Sequence, residues 1–172
     1  ANHSILPYAT EIMHRLDYFI AERARTARRF IKSTNPERPI SDLTVFELDK
    51  HEPEKGLSEF LAPALEGNDI GVLSEAGCPG VADPGALVVK LAHEKGVEVV
   101  PLVGPSSILL ALMASGMSGQ SFSFLGYLPN KGNELAREIK RLETLSSKFN
   151  QTQIFIETPY RNTAMINTLL QS

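Results

Sequence analysis

Two loops rich in glycine and proline carry the residues whose types and spacing could bind a ligand. The first loop, residues 72–85, reads VLSEAGCPGVADPG, and the second loop, residues 99–107, reads VVPLVGPSS. Each loop follows a short apolar run and precedes a helical pattern. In open α/β sheets, ligands bind beyond the carboxyl ends of the strands, where such loops lie. We therefore expect these two loops to form the ligand site.

The first loop combines carboxylates with a backbone that can approach a ligand closely. Gly77 permits a positive φ or close contact with a ligand. Asp83 precedes Pro84, where a helix is predicted to begin, so capping of that helix is one interpretation of this acid. Glu75 could accept hydrogen bonds from a ribose or an amino group, or it could be a solvent-facing acid. The residues alone leave both interpretations open.

The second loop places Ser106 and Ser107 at the start of a predicted helix. Their hydroxyls could cap that helix, and the unpaired N–H groups of a helix start also suit a carboxylate or phosphate. Neither loop has the lysine of a phosphate-binding P-loop or the G-x-G-x-x-G pattern of nicotinamide sites. The four histidines are scattered and lack the spacing of metal ligands, so we expect no metal site. Cys78 is interpreted as a small apolar residue rather than as a nucleophile.

The net charge of −3 argues against a chain that binds nucleic acid through its overall charge. Any RNA binding must then use a local basic cluster, and the sequence contains one, although such a run can also be a solvated helix face. A single cysteine excludes an internal disulfide framework, and we expect a cytoplasmic protein. The basic cluster consists of Arg23, Arg25, Arg28, Arg29 and Lys32.

Helical and strand patterns alternate along the chain, and the strands are almost continuously apolar. This alternation predicts an α/β fold with a parallel sheet covered on both faces. The predicted strands are Tyr18–Ala21, Leu43–Leu48, Ile70–Leu73, Val97–Leu102, Phe122–Leu125 and Gln153–Ile156. The predicted helices cover residues 5–17, 25–32, 57–65, 84–95, 106–115, 134–145 and 161–170.

The small polar segment 116–120 predicts a domain boundary, with one domain over residues 1–116 and a second over residues 117–172. Only two strands are predicted after Gly116, which is few for an independent domain. We therefore expect a longer parent protein of which this sequence is a part.

Several segments, taken in order, resemble the motifs of the tetrapyrrole methylase superfamily. They are most similar to those of the ribosomal small-subunit methyltransferase I family, and they extend over nearly the whole chain. The segments are SEAGCP at 74–79 with ADPG at 82–85, VPLVGPSS at 100–107, ASG at 114–116, FLGYLP at 124–129 and FIETPYR at 155–161. Ala21 and Glu22, followed by Arg25 and Thr26, match part of a further family motif.

The resemblance implies a tetrapyrrole-methylase-like protein of two α/β domains, with a largely parallel sheet in the first and a truncated mixed sheet in the second. It implies S-adenosylmethionine as the cofactor, bound in the cleft between the domains, and a homodimer. Carried over by position, the cofactor-binding residues are Ser74, Glu75, Ala76, Gly77, Cys78, Val81, Gly104, Ser106, Ser107, Ile156 and Glu157.

The resemblance also implies a methyl acceptor, with ribosomal RNA of the small subunit favoured and the ribose 2′-hydroxyl as the methylated group. Methyl transfer from a sulfonium requires alignment of the acceptor with the methyl group, and a base could assist. Glu22 and Asp83 are the candidate catalytic residues. The candidate substrate contacts are Arg25, Arg28, Tyr160 and Arg161.

The chain departs from the family pattern within one motif and at both ends. Arg23 stands where the family has an acid, and Ala24 stands where it has a threonine. The opening strand and loop of the family, and its last strands, have no counterpart in this sequence. Two alternatives therefore stay open: a methylase of tetrapyrroles or other small molecules, and a non-catalytic relative that binds S-adenosylmethionine.

Overall fold

The computed structural model describes residues 5–49, 52 and 54–171. The chain forms two compact units, residues 1–106 and residues 107–172. The helices of the first unit are α1 (Pro7–Arg15), α2 (Ala24–Ser33), α3 (Leu57–Phe60), α4 (Ala62–Leu65) and α5 (Gly85–Glu94). Its strands are β1 (Tyr18–Ala21), β2 (Thr44–Glu47) and β3 (Ile70–Leu73), and a 3₁₀ turn covers Ile40–Asp42.

The three strands of the first unit form a parallel sheet in the order β2-β1-β3. The central strand β1 is apolar throughout, and Phe19 and Ile20 are completely buried. Because successive side chains of a strand point to opposite faces, these two residues belong to different cores. Phe19 packs with Met13, Ile31 and Leu43, whereas Ile20 packs with Leu48, Leu57, Leu61, Val88 and Ala92. The predicted α/β fold with a parallel sheet covered on both faces is therefore confirmed.

Two predicted elements of the first unit differ from the structure. The helix predicted over residues 57–65 is divided into α3 and α4, because Pro63 lacks an N–H and is accommodated only in the first turn of a new helix. The strand predicted at Val97–Leu102 is wrong, since residues 97–106 lie outside every helix and strand. The β-branched composition favours a strand only where a neighbouring strand shares its hydrogen bonds. Val103, for example, is 75% exposed.

The second unit contains helices α6 (Ser107–Ser115), α7 (Gly132–Phe149) and α8 (Asn162–Gln171), with a 3₁₀ turn at Pro159–Arg161. Its strands β4 (Phe122–Tyr127) and β5 (Thr152–Ile156) pair in parallel. No antiparallel pair of the expected mixed sheet lies within its described residues. Its core consists of Leu128, Leu135, Leu142 and Met165. Within the described ranges, no helix is long and apolar enough to cross a membrane.

Candidate functional site

The carboxyl ends of β1, β2 and β3 lie side by side. Ala21, the last residue of β1, is in register with Glu47 at the end of β2 and with Leu73 at the end of β3. The segments that leave these strands therefore start from one edge of the sheet. Glu22 and the first loop are two of these segments, so the structure places a candidate catalytic residue beside the candidate cofactor loop.

Glu22 contacts the backbone of the first loop directly. Its Oε1 atom accepts a hydrogen bond from the N–H of Glu75 at 3.0 Å, although the two residues are 53 positions apart in sequence. A carboxylate that accepts a backbone N–H forms a charge-assisted bond, which is stronger than a neutral one. Glu22 thus holds the start of the first loop.

Glu47 makes a second bond of the same type. Its Oε2 atom accepts the N–H of Ala24, the first residue of α2, at 2.7 Å. Arg23, the N-cap residue of α2, makes no capping hydrogen bond with its side chain. The carboxylate of Glu47, which lies on a neighbouring strand, therefore caps the amino end of α2. The helix dipole also favours a negative charge at that end. Sequence analysis missed Glu47, although an acid directly at a strand end was an available signal.

Asp83 is bonded within the first loop. Its Oδ1 atom accepts the N–H of Gly80 at 2.6 Å and the N–H of Gly85 at 2.9 Å. The helix begins at Gly85 with Pro84 as its N-cap residue, one position later than predicted, but Asp83 still satisfies the first N–H of that helix. The loop also contains positive φ angles at Gly77, Gly80 and Ala82. The two hydrogen bonds to Asp83 therefore stabilise a turn that contains positive φ angles.

Several other residues of the first loop are exposed to solvent. Glu75, Ala76, Gly77 and Val81 are exposed, while Ser74 donates its hydroxyl hydrogen to the carbonyl oxygen of Ala76 at 2.9 Å. A β-carbon at Gly77 would have no heavy atom within 4 Å. The loop therefore leaves open space next to its peptide groups.

One hydrogen bond connects the first loop with the segment that precedes α6. The Cys78 thiol donates to the carbonyl oxygen of Pro105 at 3.6 Å. Gly104, next to Pro105, is exposed, and a β-carbon there would also meet no atom within 4 Å. Ser106 follows and is half-buried. The candidate cofactor residues of the first unit are thus brought together from two stretches of the chain.

In the second unit, the candidate residues lie at the ends of two elements. Ser107 is the first residue of α6, and Ile156 is the last residue of β5. The next residue, Glu157, has a side chain that is only 6% exposed. Its Oε1 atom accepts hydrogen bonds from the N–H of Thr158 at 2.7 Å and from the Thr158 hydroxyl at 3.2 Å.

The other carboxylate oxygen of Glu157 is incompletely satisfied. Oε2 lies 3.4 Å from the guanidinium of Arg161, but it is buried and accepts no hydrogen bond from the described residues. Arg161 also donates to Oδ1 of Asn130, a residue that sequence analysis missed. Of the two candidate substrate residues in this unit, Arg161 has its guanidinium engaged by Glu157 and Asn130. Tyr160, by contrast, is 85% exposed.

The basic cluster forms a stripe along α2. Arg25, Arg28, Arg29 and Lys32 are spaced at i, i+3, i+4 and i+7 and hence share one face of the helix. Ala27 and Ile31 are buried and anchor α2 to the sheet. Among the described residues, no acid forms an ion pair with any of these four cations. We call this face the basic stripe.

The sequence is similar to curated methyltransferases over most of its length. No family model matches the sequence. The chain is 36% identical over 153 residues to ribosomal RNA small subunit methyltransferase I of Vibrio cholerae, a match that covers 89% of this chain and 50% of that protein. The enzyme of the same name from Bacillus subtilis is 33% identical, covering 89% of this chain and 49% of that protein. The chain spans about half the length of these curated relatives.

The fold is also similar to solved structures. The methyltransferase CobJ superposes with a TM-score of 0.62 at 18% identity, covering 99% of this chain and 71% of that one. A conserved hypothetical protein from Aeropyrum pernix K1 superposes with a TM-score of 0.59 at 19% identity, covering 86% of this chain and 51% of that one. At such identities the likeness concerns the fold.

Proposed function

Because the chain belongs to the ribosomal RNA small subunit methyltransferase I family, we propose that it forms part of an enzyme that methylates ribosomal RNA. The methyl donor is S-adenosylmethionine, and the acceptor is a ribose 2′-hydroxyl of the small subunit. The observation that carries this proposal is the 36% identity to a curated enzyme of that name over 89% of the chain.

Features of the first unit support the assignment of the cofactor. Several residues of the first loop are exposed, and the positions of Gly77 and Gly104 leave open space in which a ligand could approach their peptide groups. Glu75 has an exposed carboxylate that can accept hydrogen bonds from ribose hydroxyls. Ser74, Ala76, Cys78, Val81 and Ser106 complete the proposed contacts in this unit.

In the second unit we assign Ser107, Ile156 and Glu157 as further cofactor contacts. The buried Oε2 atom of Glu157 lacks a hydrogen-bond donor among the described residues, and leaving such an atom unsatisfied is costly. An amino group of the cofactor is a suitable donor. Glu157 therefore fits a ligand that carries an amino group.

Bound S-adenosylmethionine supplies a methyl group that its positive sulfonium activates for transfer. The residues of this chain then have to hold the acceptor oxygen in line with that methyl group and exclude competing water. Glu22 and Asp83 each have one carboxylate oxygen engaged by backbone N–H groups. Both are therefore better suited to hold the first loop than to remove a proton from the acceptor.

The basic stripe supports RNA as the acceptor. RNA phosphates are bound by arginine and lysine side chains, and a chain with a net charge of −3 has to concentrate such side chains locally. Arg25, Arg28, Arg29 and Lys32 do so on one face of α2. Tyr160 is exposed and could stack on an unpaired base. Charge reversal at Arg25 and Arg28 should abolish methylation of RNA but spare a porphyrinoid acceptor.

The resemblance further suggests a homodimer that works in the cytoplasm, where small ribosomal subunits are found. Support for self-association comes from α6, which exposes Leu109, Leu110 and Met113. Large exposed apolar side chains on one helix are typical of contact surfaces. Analytical ultracentrifugation of the full-length natural protein would test the dimer.

Titration calorimetry with S-adenosylmethionine tests the proposed function. The full-length natural protein should bind, and Gly77→Trp and Ser106→Trp should each abolish binding because the indole fills the proposed site. Gly96→Trp is the matched control, since Gly96 also has a positive φ and open space but lies at the end of α5. Absence of binding by the natural protein, or equal binding by all three variants, would refute the proposal. Binding without methyl transfer would instead indicate a non-catalytic relative, which Arg23 in place of the family acid would explain.

A further inference from the structure

Two carboxylates connect three neighbouring strand ends in series. Glu47, at the end of β2, accepts the N–H of Ala24, which follows β1. Glu22, which also follows β1, accepts the N–H of Glu75, which follows β3. The connections thus run in the same order as the strands, β2-β1-β3. We call these two hydrogen bonds the carboxylate clasps.

The clasps fix two segments that the sheet alone would leave loose. The paired registers end at Ala21, Glu47 and Leu73, and one further backbone bond follows, from the N–H of Leu48 to the carbonyl oxygen of Ala21 at 2.9 Å. The N–H groups of Ala24 and Glu75 bond to carboxylates and not to a neighbouring strand. An unpaired N–H at such a point would be satisfied by water and would leave its segment free to move. Each clasp instead holds one N–H to a side chain from the adjacent strand.

We propose that Glu47 and Glu22 are positioning residues that keep the amino end of α2 and the first loop at a fixed spacing. Glu47 holds the helix that carries the basic stripe, and Glu22 holds the loop that contacts the methyl donor. This proposal rests on the proposed function, because the spacing matters only if α2 binds RNA and the first loop binds the cofactor.

The two clasps predict different kinetic effects. Loss of the Glu22 clasp should weaken cofactor binding, since the first loop loses its tie at Glu75. Loss of the Glu47 clasp should raise the KM for RNA and leave the cofactor Kd unchanged, since α2 loses its cap. A general base would behave differently, because its loss lowers kcat without weakening cofactor binding.

The experiment uses Glu22→Ala, Glu22→Gln, Glu47→Ala and Glu47→Gln in the full-length natural protein. Gln retains an oxygen that accepts the N–H but removes the negative charge, so it should restore a positioning role and fail to restore a base. Glu66→Ala is the control, because Glu66 is an exposed acid after α4. We expect Glu22→Ala to raise the cofactor Kd about five- to tenfold, with Glu22→Gln within about twofold of wild type. The KM for RNA should rise similarly in Glu47→Ala and recover in Glu47→Gln.

Hydrogen exchange of the Ala24 and Glu75 amides provides a readout that is independent of activity. Exchange at Glu75 should accelerate about tenfold in Glu22→Ala, and exchange at Ala24 should do so in Glu47→Ala. If the wild-type protein binds no cofactor but these amides lose protection in the two Ala variants, the proposed function is refuted. The two clasp hydrogen bonds are then still confirmed. Amides that keep their protection in both Ala variants would overturn the proposal. So would a Glu22→Gln variant that binds cofactor normally but has lost kcat, because Glu22 would then be the base.

Discussion

Asp83 Oδ1 accepts the N–H of Gly85 at 2.9 Å, and a β-carbon at Gly85 would lie at the same distance of 2.9 Å from that oxygen. Such a β-carbon would also lie 3.0 Å from the backbone nitrogen of Gly80. Real β-carbons do not approach non-bonded atoms this closely. The turn that closes the first loop is therefore built around the absence of a side chain at Gly85.

This contact predicts that Gly85→Ala destabilises the first unit. Overpacking of this kind costs about 1–3 kcal/mol, because either the Asp83 carboxylate or the loop backbone has to shift. Urea unfolding measures the loss. Gly104→Ala is the control and should change the free energy of unfolding by less than about 0.5 kcal/mol, since its β-carbon would meet no atom within 4 Å. Equal stability of the two variants would contradict the structure of this turn.

The basic stripe predicts a specific dependence of RNA binding on salt. Each cation that contacts a phosphate contributes about one to the slope of log Kd against log salt concentration. Arg25→Gln combined with Arg28→Gln should therefore reduce the slope by about two and weaken binding at low salt. Fluorescence anisotropy with a small-subunit RNA fragment is the measurement. Lys140→Gln, which removes an exposed cation from α7, should leave the slope unchanged. If the double variant leaves the slope unchanged, the basic stripe is not part of the RNA interface.

The ion pair between Glu157 and Arg161 predicts that substitutions of the two residues change the free energy of unfolding non-additively. Arg161→Met leaves the carboxylate of Glu157 buried without a compensating charge, which should cost about 1–3 kcal/mol, because Arg161 itself is partly exposed to water. Adding Glu157→Gln should recover part of that loss by removing the stranded charge. Chemical unfolding of the two single variants and the double variant gives the coupling energy. Purely additive effects would show that the two side chains do not interact.

A pair on α7 predicts a small effect of acid on stability. The Arg141 side chain donates hydrogen bonds to the carboxylate of Glu138, which holds the pKa of Glu138 below its ordinary value. The pair therefore stabilises the fold above the ordinary carboxyl pKa, and this contribution disappears as the pH falls through the lowered pKa. The drop in urea midpoint between about pH 6 and about pH 3 should be smaller in Arg141→Met than in wild type. An equal drop would mean that the pair contributes nothing.

Much of the fold could be predicted from local sequence patterns. The strand Ile70–Leu73 was predicted with the bounds that the structure has, and the helix predicted over residues 84–95 is observed at Gly85–Glu94. The strand is an apolar run directly after the turn residues 67–69, and the helix has an apolar pattern that ends before Gly96. The prediction at Val97–Leu102 failed because a strand requires a partner, and composition carries no information about one.

The candidate site was less predictable, because its key bonds connect distant parts of the sequence. Glu22 and Glu75 are 53 positions apart, and Ala24 and Glu47 are 23 positions apart. These bonds depend on the strand order β2-β1-β3, which local patterns do not determine. By contrast, the bonds from Asp83 to Gly80 and Gly85 are local, and the proline and glycine pattern had already indicated a role for Asp83 at the start of a helix.

Methyl transfer to small ribosomal subunits tests whether the first loop is part of a methyl-donor site in an enzyme that acts on RNA. The subunits are prepared from cells that lack the protein, and S-adenosylmethionine labelled with tritium in its methyl group is the donor. We expect the full-length natural protein and Gly96→Trp to label the RNA of these subunits, and Gly77→Trp to leave it unlabelled. Absence of label with the natural protein, or equal labelling by Gly77→Trp, would contradict the assignment of the first loop as part of the methyl-donor site.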